Sequence, residues 1–192
     1  FVDDPTRMLR AARFESRLGF RMDPRTEELV RDALPLLRRV SGNRIAHELT
    51  LIFEEPEPER ALCRLQELGI LSHIHPALRC NAWLCARFRA LREELDAEVW
   101  EIGAEDRVFL GWALLTYRLK PDDIEALAAR LRLARSVADD LQLLPVLREA
   151  TYRLARLSRP STIVRLLEPF PGRVLAAPAC TWPPGAREAA AD

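Results

Sequence analysis

Apolar residues recur every three or four positions along almost the whole chain, and no run shows the sustained period-two alternation of a strand. Helix start and stop signals punctuate this pattern. In DDPTRMLRAARFESRLGF, Asp4 is an N-cap candidate and Pro5 suits the first helical position. Leu9, Ala12, Phe14 and Leu18 supply an apolar side, and Gly19 is the expected stop. MDPRTEELV repeats the cap-and-proline start at Asp23-Pro24, followed by a stripe of Leu29, Val30, Ala33 and Leu36 or Leu37. A third helix begins after Ser41 and carries Ile45, Leu49, Ile52 and Phe53. A fourth buries Ala61, Leu62, Leu65 and Leu68 and stops at Gly69. Further helices are predicted near 82–95, 105–118, 121–133, 136–150 and 160–168, with one short helix around Val174. No internal repeat at solenoid period is present. The predicted class is all-α, about nine or ten helices without a substantial sheet. Residues 1–78 carry the motifs discussed below; 79–192 form a helical body whose last ~20 residues, rich in Pro, Gly and Ala, are expected to be loosely ordered.

Composition narrows the function. The chain has 192 residues, of which 48% are hydrophobic and 30% charged, so it can bury a real core. Its 29 basic and 29 acidic residues cancel, which excludes a globally basic nucleic-acid binder while leaving local patches open. Lys120 is the sole lysine; the arginine excess runs the full length of the chain and is best explained by genomic base composition. Cys63, Cys80, Cys85 and Cys180 form no CxxC pair, which favours a reducing, cytoplasmic setting. No stretch is long and apolar enough to span a membrane. The absence of a methionine at Phe1 is read as a cut from a longer protein.

No catalytic centre is visible in the chain by itself. It holds no Gly-rich phosphate loop, no GxSxG, no Asp-x-Asp pair for two metal ions and no His-Asp doublet. His73, His75, Cys80 and Cys85 make HxHx4Cx4C, but structural zinc sites use tighter pairs, so no metal site is assigned, and the histidines read as partners of a helix end. Arg7, Arg10, Arg13 and Arg17 recur at helical spacing, continuing to Arg21. Asp4 and Arg7 stand at i and i+3. One explanation is a cap with a local ion pair. The other is a protein template for a base. A carboxylate only accepts and a guanidinium only donates, whereas the pairing edges of adenine and cytosine place an amino donor beside a ring-nitrogen acceptor. Such a pair takes A or C and leaves unpaired groups against G or U.

DDPTRMLRAARFESRLGF resembles the nucleotide-recognition motif of the class II tRNA nucleotidyltransferase and bacterial poly(A) polymerase family. VSGNRIAHELTLIFEEPEPERALCRLQELGILSHIHPAL resembles the same family's neck and RNA-binding region. The resemblance implies base pairing by Asp4 and Arg7, and a role for Asp3, Arg44 and Glu48 in bracing the neck, with Asn43 standing where glutamate is usual. Arg10, Arg13 and Arg17 become candidates for triphosphate or RNA-backbone contact. It further implies a catalytic head upstream holding Mg2+, ATP or CTP as substrates, and a tRNA or other RNA 3′ end as partner. No cofactor is expected in residues 1–192, and the isolated chain is expected to add no nucleotide. The DDPTR variant resembles the subgroup that also carries CBS and DHH-type domains. Addition of A, CC, CCA or poly(A) shares this base-reading logic. A rival class is a non-catalytic helical module that docks RNA or protein.

Overall fold

The computed structural model describes residues 1–154 and 160–180, with side chains described up to residue 151 and from 161 to 180. Among these the chain is all-α: eleven α-helices and one 3-10 segment, with no strand. It divides into two packing units, the first made of Phe1–Cys85 with Ala126–Leu133, the second of Ala86–Glu125 with the chain from Ala134 onward.

The first unit opens on α1 (Arg7–Leu18), two residues later than the sequence places it. Asp4, Pro5 and Thr6 form a lead-in turn instead, in which the Arg7 and Met8 N–H groups donate to the Asp4 and Pro5 carbonyls at 3.2 and 3.1 Å. Thr6, not Asp4, is the N-cap, and Asp4 instead closes the turn ahead of the helix. Its Oδ1 accepts from the Thr6 N–H at 3.1 Å and the Thr6 hydroxyl at 2.6 Å. Gly19 then ends α1 in the left-handed conformation, at φ 67°. The buried side of α1 is Met8, Leu9, Ala12 and Arg13, whereas Phe14 and Leu18 face solvent. The apolar stripe is therefore one residue narrower than the sequence pattern implies, because Arg13 takes a buried place beside α3.

Helix α2 (Pro24–Ala33) starts as expected, with Asp23 Oδ1 accepting from the Arg25 N–H at 2.9 Å. Val30 and Ala33 are buried; Leu29 is exposed. A 3-10 segment, Leu34–Arg39, follows without a break and turns Leu37 into the core. Helix α3 (Gly42–Phe53) buries Ile45, Leu49, Ile52 and Phe53, and α4 (Pro58–Glu67) buries Ala61, Leu62 and Leu65. Gly69, at φ 77°, lets the chain pivot into a short α5 (Ile70–Ile74), for which the sequence pattern predicts no separate helix. Helix α1 lies against both α3 and α4. The last turns of α8 (Pro121–Leu131) complete this unit. Arg130 donates to the carbonyls of Leu37 and Val40 at 2.9 and 3.1 Å, satisfying the open end of the 3-10 segment. The backbone at Arg130 and Leu131 runs directly over Gly42.

Helix α6 (Ala82–Glu93) begins in the first unit. The second is built around α7 (Ala104–Thr116), which is buried from Phe109 to Thr116 and packs against α9 (Arg135–Leu154) and α11 (Gly172–Ala179). Trp112, Leu144, Leu147, Val174 and Ala177 fill its core. Helix α10 (Pro160–Leu167) packs on α9. The short helix expected around Val174 is thus present and buried, and the remainder of the predicted loose tail lies outside the described residues.

Candidate nucleotide and RNA interface

The motif residues of the first unit gather where the start of α1 meets α3. Asp4 is held from two sides. Besides Thr6, the Arg44 guanidinium of α3 donates to the same Oδ1 at 2.8 Å. The Thr6 hydroxyl, then Arg44, keep the Asp4 carboxyl below the usual range, so it is ionised at neutral pH. Its other oxygen, Oδ2, accepts from no described residue, and the side chain is 24% exposed. Arg7 is exposed on the first turn of α1 and makes no ion pair with a described residue. Asp4 and Arg7 are therefore not paired with one another. Asp3 is exposed, as is Asn43.

The arginine ladder splits. Arg13 is buried between Glu55, at 3.1 Å, and Glu48, at 3.9 Å, and its guanidinium lies 4.6 Å from the Phe14 ring centre. Arg10 and Arg17 lean on Glu48 and Glu55 at 3.9 Å, yet keep about half of each side chain in solvent. Glu48, buried on α3, thus anchors α1 through its arginines. A cleft of about 440 Å3 opens beside the ladder, where Glu54, Glu55 and Glu57 balance the charges of Arg13, Arg17 and Arg60.

Sequence reasoning missed two clusters. Arg64 on α4 donates from Nε to Glu15 of α1 at 2.7 Å, from a terminal nitrogen to Glu27 of α2, and to Glu67 at 2.9 Å. Glu15 in turn accepts from the Met22 N–H at 2.8 Å. One half-buried guanidinium therefore joins three helices. No periodicity reveals such a contact, because its partners lie 49 and 37 residues away. The second cluster is Cys63, Cys80 and Cys85, whose sulfurs all lie within 4.8 Å of one another. Hydrogen bonds from the neighbouring thiols, Cys80 first, bring the Cys63 thiol down to about 6, while Cys85 is pushed up to about 11, chiefly by burial. Cys80 rises too, through its bond to Cys63. His73 and His75 stand apart from this group: His73 Nδ1 meets the Gly69 carbonyl at 2.8 Å, and His75 Nδ1 accepts from the Ala77 N–H at 3.2 Å.

The all-helical first unit thus presents, just ahead of α1, an aspartate braced from the adjoining helix, with the exposed Arg7 guanidinium three residues on. Residues 19–81, about a third of the chain, match the family model described as the probable RNA and SrmB-binding site of polymerase A. That match makes the chain similar to the neck and body region of tRNA nucleotidyltransferases and poly(A) polymerases. The A-adding tRNA nucleotidyltransferase of Geobacter sulfurreducens is 48% identical over 80 residues, 41% of this chain and 9% of that protein. The enzyme of the same name from Aquifex aeolicus is 31% identical over 65% of this chain and 15% of its own length. The CCA-adding enzyme of Geobacillus stearothermophilus is 31% identical over 73% of this chain and 32% of its own. The chain thus spans less than a third of these curated relatives. Among solved structures, a CCA-adding enzyme with ATP has a TM-score of 0.79 at 23% identity over 98% of this chain and 46% of that one. The Thermotoga maritima CCA-adding enzyme complexed with tRNA gives 0.77 at 23%, over 98% and 47%. At this identity the likeness speaks to the fold.

Proposed function

We propose that the chain is the base-reading and RNA-binding part of a template-independent RNA 3′-end nucleotidyltransferase that uses ATP or CTP in the cytoplasm. Asp4 and Arg7 choose the incoming base, while a head domain of the same protein, with Mg2+, carries the transfer chemistry. The carrying observation is the division of labour at Asp4. Oδ1 is saturated by Thr6 and Arg44, which fixes the carboxylate plane, and Oδ2 is left to accept. Adenine or cytosine would give its amino hydrogen to Oδ2 and take a hydrogen bond from Arg7 on its ring nitrogen. Arg44 and Glu48 are positioning residues in this scheme.

Asp4→Asn tests the scheme cleanly. An amide oxygen at Oδ1 still accepts from Thr6 and Arg44, so the lead-in turn stays closed. What changes is the free position, where an N–H replaces an acceptor. In the complete enzyme, incorporation of the four nucleotides should lose its preference for A or C over G or U, with the melting temperature close to wild type. Arg7→Ala should lower kcat/KM for the correct nucleotide about 10- to 150-fold, the value of one charged hydrogen bond of roughly 1.5–3 kcal/mol. A folded Asp4→Asn enzyme with unchanged selectivity would leave Asp4 the closing of that turn as its sole role.

Arg10 and Arg17 are the ladder members with exposed side chains, so they are assigned to RNA phosphates. Binding of tRNA should be weak and should fall with salt. Arg10→Ala and Arg17→Ala should each reduce the slope of log affinity against log salt by about one. Equal slopes in wild type and both variants would remove them from the interface.

A further inference from the structure

We propose that Cys63, Cys80 and Cys85 form a binding site for a thiophilic divalent cation of the zinc class, independent of the base-reading residues. The three sulfurs arrive from three places: Cys63 from the middle of α4, Cys80 from the connection after α5, and Cys85 from the first turn of α6. Cys63 and Cys85 stand 3.1 Å apart, Cys80 and Cys85 3.9 Å apart, and the whole set lies within 4.8 Å. A tetrahedral zinc with bonds of about 2.3 Å separates its sulfurs by roughly 3.8 Å, so small side-chain rotations bring all three onto one ion.

The backbone around the sulfurs is already held. Gln66 Oε1 accepts from the Cys80 N–H at 3.1 Å, tying the connection to α4. Asn81 Oδ1 accepts from the Leu84 N–H at 3.1 Å and the Asn81 carbonyl from the Cys85 N–H at 3.1 Å, which starts α6 where Cys85 faces the others. A simple disulfide accounts for two of these thiols and leaves the third unexplained, whereas a soft cation uses all three. All three are half-buried, close enough to the surface for an ion to reach them, while Cys180 is buried elsewhere. Three thiolates leave a fourth coordination position to solvent. The ion would pin the connection and the start of α6 onto α4, and the thiol protons would pass to water as it binds.

The test uses the fully reduced chain and Co2+ as a spectroscopic probe. One equivalent should bind with a near-ultraviolet sulfur-to-cobalt charge-transfer band, which Zn2+ abolishes by displacement. Cys80→Ser and Cys85→Ser should each weaken binding at least tenfold, and Cys180→Ser should leave it unchanged. The wild-type chain supplies a readout that needs no variant: Zn2+ should protect Cys63, Cys80 and Cys85 from alkylation by N-ethylmaleimide. Absence of the charge-transfer band, or alkylation rates indifferent to Zn2+, would overturn the site. So would a Cys63–Cys85 disulfide in the purified chain that, once reduced, takes up no metal.

Discussion

Replacing Arg64 by methionine should destabilise the first packing unit by about 1.5–3 kcal/mol, the range for losing a hydrogen bond to a charged group. The arginine side chain is 12% exposed and that of Glu15 9%, so neither is rescued by bulk water. Methionine fills much of the vacated space, which isolates the electrostatic loss from a cavity effect. The defect should also depend on pH. Glu27 is held below the ordinary carboxylate range, first by its hydrogen bond from Arg64 and then by the charges of Arg64 and Arg31. A depressed carboxyl contributes stability that is complete above its unfolded value, about 4.3, and is lost as pH falls through the lower folded value. Urea unfolding followed by circular dichroism should therefore show the wild-type and Arg64→Met midpoints far apart at neutral pH and converging in acid. A gap constant from pH 7 down to about 3 would mean that Arg64 acts through packing alone.

Gly42→Ala should be more damaging than the same change at Gly19, Gly69, Gly103 or Gly172. Alanine in a helix is ordinarily worth about 1 kcal/mol over glycine. Here the new Cβ would land on the Arg130 carbonyl oxygen and lie 2.8 Å from two backbone atoms of Leu131. Backbone cannot rotate aside as a side chain can, so the cost belongs at or above the upper end of the roughly 1–3 kcal/mol seen for overpacking. A net loss of about 2 kcal/mol or more follows once the helix gain is subtracted. Gly172, also at a helix start, has open space around the same atom, and Gly172→Ala should be neutral or mildly stabilising. The comparison of the two melting temperatures decides; equal values would show that α3 and the segment over it slide apart freely.

Where the sequence was legible, the signal was local. Asp23 before Pro24, Ser41 before Gly42, and Gly69 after Leu68 each act within one turn, and the corresponding helices begin or end there. The apolar faces of α3 and α4 were readable for the same reason, since period 3.6 reports which side of a helix is dry. Failures occurred where a neighbour decides. Phe14 and Leu18 look like core by spacing, but α1 turns Arg13 inward to Glu48 and Glu55 and leaves them outside. Leu34–Arg39 is 3-10, and its Leu37, buried in the core, offers its carbonyl to Arg130, a residue 93 positions away. The site shows the same division. The motif singled out Asp4, Arg7, Arg44 and Glu48, but only the folded chain shows that Arg44, not Arg7, holds Asp4. Cys63 was invisible as a companion of Cys80 and Cys85 because α4 brings it there from outside any recognisable spacing.

The discontinuity of the first unit sets an order of events during synthesis. Its long segment ends at Cys85, yet Arg130 and Leu131, which close over Gly42 and satisfy the Leu37 and Val40 carbonyls, belong to Ala126–Leu133. About 48 residues separate Cys85 from the end of that closing piece, and at 5–20 residues per second a ribosome takes roughly 2–10 s to supply them. For that interval α1 to α5 have all their local signals but no cover over the start of α3. The backbone at Gly42 therefore stays uncovered in the nascent chain until Arg130 and Leu131 arrive.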